Sequence, residues 1–217
     1  MVWSYVTISK TPCRYDRLLI PLADCKTLAP VWEKFSEDFS TESGVLIAKV
    51  DAEAENSKAL AGEQGVSSYP TIKYFPKGSK VAEDYNGARS ESALVDWVNT
   101  KAGTDRTVGG GLGTKAGTIE NLDSIVAKLT NGNVAYITEE VKKASNGLKG
   151  VYAEYYSKVL TKLGTNQGYA TKELARLQNI IERGGLAPTK LDEMVGRSNI
   201  LRSFASPMAE APDKEEL

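Results

Sequence analysis

Gly44-Val45-Leu46-Ile47-Ala48-Lys49-Val50-Asp51 holds an aliphatic, β-branched run interrupted by one charge, Lys49, and closed by glycine at one end and aspartate at the other. A short apolar run bounded by turn formers reads as a buried strand. Upstream, Lys26 to Phe39 reads as a helix, because Leu28, Val31, Trp32, Phe35 and Phe39 recur at three- and four-residue spacing on one face. Pro30 lies inside that pattern and is expected to kink the helix or end its first turn, and Gly44 stops it. Downstream, Asn56 to Gln64 reads as a second short helix with Leu60 facing the core. Thr71-Ile72-Lys73-Tyr74-Phe75 reads as a strand, Pro76 to Ser79 as a turn, and Val81 to Tyr85 as an antiparallel partner. Ser90 opens a further helix, with Glu91 in its first turn and Leu94, Trp97 and Val98 as its apolar stripe. Residues 26–102 therefore form an α/β unit.

Gly103 to Gly117 is glycine-rich and reads as a flexible linker. Gly111-Leu112-Gly113-Thr114-Lys115-Ala116 matches a loose G-x-G-x-x-A pattern, but a dinucleotide site needs that pattern directly after a strand, and here it follows a helix. From Thr118 the periodicity is helical. Leu122, Ile125, Val126 and Leu129 form one stripe, and Val151, Tyr155, Tyr156, Val159, Leu160 and Leu163 a second. Leu174, Leu177, Ile180 and Ile181 form a third, stopped by Gly184-Gly185. Leu191, Met194, Val195 and Leu201 form a fourth, with Pro188 at its start. Val134 to Ile137 is the one credible strand in this half. About 90 residues of this kind make a small helical bundle. Tyr152, Tyr155, Tyr156 and Tyr169 either rim its core or face outward to anchor a partner.

The protein has 217 residues, 41% of them hydrophobic and 25% charged, so it can bury a core without disulfides or metals. A net charge of −1 argues against nucleic-acid binding, and no apolar run reaches the length of a membrane span. There is no histidine and there are two cysteines, Cys13 and Cys25. Histidine-based nucleophile pairs and most zinc sites are thereby excluded, and no organic cofactor or metal is expected. The cysteines do not form C-x-x-C. The first 22 residues lack the uninterrupted apolar core of a secretory signal. The tail from Ala205 is disordered in composition and ends Lys214-Glu215-Glu216-Leu217, one methylene away from the Lys-Asp-Glu-Leu retention signal of the endoplasmic reticulum.

Three stretches carry a family resemblance. Cys25-Lys26-Thr27-Leu28-Ala29-Pro30-Val31-Trp32-Glu33-Lys34 resembles the second half of the active-site segment of protein disulfide isomerases. Val66-Ser67-Ser68-Tyr69-Pro70-Thr71 resembles their cis-proline loop, and Asp84-Tyr85-Asn86-Gly87-Ala88-Arg89-Ser90 their Tyr-x-Gly-x-Arg segment. Glu173 to Arg176 and Arg197 to Leu201 resemble the D domain of some plant and fungal isomerases. They also resemble the C-terminal domain of a redox-inactive reticulum chaperone whose tail is likewise Lys-Glu-Glu-Leu. The fold implied is an incomplete thioredoxin-like α/β domain followed by a small all-α bundle. The expected boundaries are an atypical segment 1–22, a partial thioredoxin-like domain 23–103, a linker 104–117, a D domain 118–204 and a tail 205–217.

The resemblance implies that Cys25 is the resolving cysteine, that Tyr69 and Pro70 form the substrate-binding loop with Pro70 cis, and that Arg89 modulates the pKa of Cys25. It makes Lys214 to Leu217 the address read by a retention receptor. Leu22 then stands where the nucleophilic cysteine belongs, Ala23 replaces the glycine and Asp24 the histidine. The first strand, first helix and central strand of the family should precede this segment, and their signature is missing; Val2 to Ser9 and Arg17 to Leu22 are improvised strands at best. Two explanations stand: a misplaced exon boundary or truncated transcript, or a redox-dead paralogue. The expected function is thiol–disulfide exchange and oxidative folding in the reticulum lumen, impaired in this protein. The alternative is a redox-inactive chaperone or peptide-binding protein. The expected partners are unfolded or disulfide-bonded secretory proteins and a retention receptor, with self-association left open.

Overall fold

The computed structural model describes residues 4–9, 22–52, 54–148 and 150–209. The protein divides into two compact units, Met1–Gly111 and Leu112–Leu217.

In the first unit the elements are β1 (Ser4–Ser9), α1 (Leu22–Asp38), β2 (Val45–Val50), α2 (Lys58–Glu63), β3 (Ile72–Phe75), β4 (Glu83–Asp84) and α3 (Glu91–Ala102). The sheet order is β2-β1-β3-β4. β1 runs parallel to β2, with Ser4 opposite Val45 and Ser9 opposite Val50, and antiparallel to β3, with Tyr5 opposite Phe75 and Ile8 opposite Ile72. The weak amino-terminal strand signal therefore occupies an interior position in the sheet.

One sheet face holds the core. Leu28, Trp32, Phe35 and Phe39 of α1 pack with Leu94, Val95 and Val98 of α3 over Val45, Ile72 and Tyr74. The aromatic rings meet edge-on, Trp32 with Phe35 at 5.0 Å and Phe35 with Phe39 at 5.4 Å. That stripe keeps α1 helical through Pro30, contrary to the expected break: the proline sits on the exposed side, and burial of the opposite face outweighs the hydrogen bond it cannot donate. Ser90 caps α3, its hydroxyl oxygen accepting the Ala93 N–H, and Gly103 closes the helix in the left-handed conformation at φ 68°.

Among the described residues, the other face is thinly covered. α2 has only six residues, none of them buried, and Leu60 is 45% exposed rather than directed into a core. Between α2 and the sheet lies an apolar recess of about 90 Å³, lined by residues that include Val50, Leu60, Val66, Lys73 and Phe75. β4 is shorter than expected, pairing with β3 through Asp84 and Glu83, with the Tyr85 N–H donating to the Ile72 carbonyl at 2.9 Å just beyond.

The glycine-rich stretch is tied down rather than slack. Arg106, whose side chain is 3% exposed, holds Glu42 at 2.8 Å and donates to the Gly110 carbonyl at 3.0 Å. Asn99 reads both backbone groups of Arg106, accepting its N–H and donating to its carbonyl. The Gly109 N–H donates to Asp38 at 2.9 Å. In the second unit, the Asn199 side-chain amide donates to the carbonyls of Gly113 and Ala116 at 2.8 and 3.0 Å. Composition signals flexibility; the glycines instead supply turns, as at Gly109 and Gly110, both at positive φ.

The second unit contains α4 (Glu120–Val126), α5 (Val134–Ala144), α6 (Val151–Leu163), α7 (Tyr169–Arg183) and α8 (Pro188–Ala209). Val134 to Ile137 is the start of α5 and not a strand: Ile137 and Val141, one helical turn apart, are both buried in the bundle core. α8 runs past the expected start of the tail to Ala209. Tyr155 and Tyr156 are core residues. The Tyr156 hydroxyl donates to Asp123 at 2.6 Å and accepts the Ile119 N–H at 3.1 Å, pinning the start of α4. Tyr152 wedges between two glycines: a Cβ on Gly196 would lie 2.5 Å from its hydroxyl and one on Gly117 3.1 Å from its ring.

The wedge makes Gly196 intolerant of even one methyl group. Gly196→Ala should destabilise the protein by about 1–3 kcal/mol, despite alanine's better helix propensity, because the added methyl would overlap the Tyr152 ring and force it to shift. In a Tyr152→Ala background the loss should shrink, and a denaturant double-mutant cycle reads the difference. Asp38 carries a pH dependence. Burial first, and then the nearby Glu91 charge, hold its carboxyl above the usual carboxylate range, with the N–H groups of Gly109 and Gly110 opposing. A raised folded-state pKa contributes stability that is full below the unfolded value and lost as pH rises through the folded one. Asp38→Asn should therefore gain most over the parent in thermal melts near pH 8, the gain narrowing towards pH 4; a pH-independent difference would contradict the assignment.

Candidate functional site

Leu22-Ala23-Asp24-Cys25 opens α1, and Cys25 is half-buried in the first turn. A helix start favours negative charge, so a thiolate there would be stabilised. The sequence puts one thiol in this turn, not two. Cys13 lies outside the described residues, as do Lys214, Glu215, Glu216 and Leu217.

The loop before β3 supplies the second part of the site. The Tyr69–Pro70 peptide bond is cis. Pro70 is buried and Tyr69 is 37% exposed, so an aromatic face flanks the bend. The Thr71 hydroxyl donates to the Ser68 carbonyl at 2.6 Å and closes the loop.

Arg89 reaches this loop from the segment before α3. Its guanidinium donates to the Pro70 carbonyl at 3.2 Å. The Tyr-x-Gly-x-Arg spacing has a local cause. The Tyr85 hydroxyl donates to the Ala88 carbonyl at 2.6 Å, which folds the ring back over Gly87. A Cβ at Gly87 would lie 2.6 Å from that hydroxyl, so only glycine fits beneath it. Trp97 packs on the far side of Tyr85 at 4.6 Å, and burial raises the tyrosine's pKa. The turn so held delivers Arg89 to the cis-proline loop. The structure thus brings Tyr69, Pro70 and Arg89 together.

Lys73 is a residue that sequence reasoning missed. It is buried on β3, pairs with Asp84 on β4, and borders the recess beside α2. A lysine at the alternate-face position between Ile72 and Tyr74 is the signal that could have found it. Among the described residues, no group of three or more His, Cys, Asp or Glu side chains is gathered for a metal, and no helix is long and apolar enough to cross a membrane.

Comparison with known proteins separates the sequence at the same place as its fold. Residues 23–100 match the thioredoxin family and residues 117–204 match the family described as endoplasmic reticulum protein ERp29, C-terminal domain. The sequence is 56% identical over 190 residues to protein disulfide-isomerase tigA of Aspergillus niger, a match spanning 88% of this protein and 52% of that one. It is 54% identical over 198 residues to protein disulfide-isomerase erp38 of Neurospora crassa, spanning 89% of this protein and 53% of that one. Both relatives are named protein disulfide-isomerases. The protein joins a thioredoxin domain to an ERp29-type helical domain, and it spans about half the length of the curated relatives it matches. A solved structure, the J-Trx1 fragment of ERdj5, is similar at 26% identity and a TM-score of 0.36, over 48% of this protein and 44% of that fragment.

The thioredoxin match starts at residue 23, immediately after Leu22. Gly87→Ala should push the Tyr85 ring out of place and release the Arg89 contact. The expected readout is chemical-shift change at the amides of residues 69–72 together with a melting point lowered by several degrees. Shifts confined to residues 84–90 would show that the turn does not govern the loop.

Proposed function

We propose that this is a protein disulfide isomerase-like protein of the endoplasmic reticulum lumen that binds secretory polypeptides beside its cis-proline loop. In this reading its own thiol–disulfide turnover is impaired. The observation that carries the reading is Leu22-Ala23-Asp24-Cys25 at the start of α1. In thiol–disulfide exchange, a thiolate attacks one sulfur of a client disulfide, forming a mixed disulfide and releasing the other client sulfur as thiolate. A second enzyme thiolate then attacks the enzyme sulfur of that mixed disulfide, which frees the reduced client and leaves the enzyme oxidised. Leu22 has no sulfur for either step. Cys25, at the resolving position, stands in a motif that holds no second cysteine to complete the cycle.

The names of the relatives support the family-level chemistry, and the tail Lys214 to Leu217 supports retention in the reticulum. A redox-inactive, client-binding role draws support from the exposed Tyr69 flanking a loop held by Arg89.

Insulin reduction with dithiothreitol tests the reading. The unaltered protein should turn over at or near background and Cys25→Ser should change nothing. Leu22→Cys should raise the rate by about tenfold or more, by restoring a dithiol at the helix start. Strong turnover by the unaltered protein that vanishes in Cys25→Ser would overturn the assignment.

A further inference from the structure

Inside the helical unit the Tyr155 hydroxyl is buried without a hydrogen-bond partner, the residue being 5% exposed. A buried hydroxyl left unpaired costs about 1–3 kcal/mol, so one that persists calls for an explanation. Its surroundings are rich in donors. The Arg197 guanidinium stacks on the Tyr155 ring, its carbon 5.1 Å from the centroid. Arg197 uses one nitrogen on Glu193 at 2.5 Å. Arg176 uses Nε and Nη2 on Glu173, each at 2.7 Å, and Nη1 takes no part in that pair. Tyr169, at the start of α7, is half-buried and packs against the same core.

The Tyr155 and Tyr169 hydroxyls both feel Glu173, Arg176 and Arg197, and Lys158 and Lys190 act on the two glutamates. Arg176 and Arg197 are thus the cations that act on both tyrosines, and the two hydroxyls add further donors. The depth is graded: Tyr155 is buried, while the side chains of Arg197 and Arg176 are 32% and 58% exposed. Half-buried Leu174 and Met194 give the rim an apolar component. A planar guanidinium fork matches a carboxylate, and tyrosine hydroxyls complete its lone pairs.

We propose that Tyr155, Tyr169, Arg176 and Arg197, on α6, α7 and α8, form a recognition site for a peptide carboxylate, supplied by an acidic side chain or by the free C-terminus of a polypeptide. The arriving carboxylate accepts from the donors of Arg176 and Arg197 that their glutamates leave unused and from the Tyr169 hydroxyl, and it draws Arg197 off the Tyr155 ring so that the buried hydroxyl donates as well. Glu173 and Glu193 stay in place and hold the forks in position. No covalent step is involved. The site lies wholly in the helical unit and does not depend on Cys25 or the cis-proline loop.

The test is a ¹⁵N-resolved titration of the full-length protein with three peptides: acetyl-Ala-Ala-Phe with a free C-terminus, its C-terminal amide, and the amide of acetyl-Ala-Glu-Phe. Either carboxylate-bearing peptide should shift the amides around Tyr155, Tyr169, Arg176 and Arg197 saturably, and the comparison says which carboxylate is preferred. The neutral amide should not shift them. Arg197→Gln and Arg176→Gln should each weaken binding about tenfold or more, and Tyr155→Phe by several-fold. Thermal melts show that each variant remains folded. If Arg197→Gln cannot fold, Tyr169→Phe and Arg176→Gln carry the test alone. Absence of saturable shifts, equal binding of the neutral amide, equally strong displacement by inorganic phosphate, or affinities untouched by these substitutions would overturn the proposal. So would a Tyr155→Phe variant that melts higher and binds as before, since the hydroxyl would then be only a packing defect.

Discussion

The thioredoxin unit depends on its least conspicuous strand. Among the described residues, β2 and β3 are joined only through Ser4–Ser9, because the order is β2-β1-β3-β4 and each ladder that links the two halves of the sheet uses β1. The helices α1 and α3 bury their apolar faces on a surface that includes Val45 of β2 and Ile72 and Tyr74 of β3. That surface exists as one plane only while the middle strand holds its neighbours about 4.8 Å to either side. The cis-proline loop leads directly into β3, and α1 carries Cys25, so the geometry of the candidate site inherits the same dependence.

The helical unit rests on a different kind of constraint. Its core is aliphatic and aromatic, but its register is fixed by polar side chains reading backbone: Tyr156 at Ile119, and Asn199 at Gly113 and Ala116. Directional bonds of this sort exclude alternative packings that burial alone would tolerate. Glycines 117 and 196 serve the same end by admitting Tyr152 at a distance no side chain would allow.

Much of the architecture is legible in the sequence because periodicity reports burial. The stripes through Trp32 and Phe35, Leu94 and Val98, and Tyr156 and Leu160 all predict core positions, and all are buried. Where expectation and structure part, the causes are physical. Val134 to Ile137 carries local strand propensity that the turn from Ile137 to Val141 overrides. Pro30 weakens α1 in isolation, but tertiary burial decides the outcome. Leu60 matches a helical stripe, but it lines an open recess between α2 and the sheet instead of a filled core. At the site, Tyr69, Pro70 and Arg89 are reached through family resemblance, since nothing in their spacing shows that Arg89 will bond to Pro70. The donor cluster around Tyr155 leaves no motif: its members are spread over α6, α7 and α8 and meet only after folding.

The glycine-rich stretch from Arg106 to Ala116 has a practical side. Proteases prefer slack polypeptide that can be drawn extended into a cleft. Here turns and side-chain clamps occupy many of the backbone donors and acceptors that such a cleft would need. Trimming the protein into its two halves by digestion would first require local unfolding of those clamps. Elsewhere the loop at Pro76 to Lys80, with two exposed lysines and little anchoring, offers an easier cut.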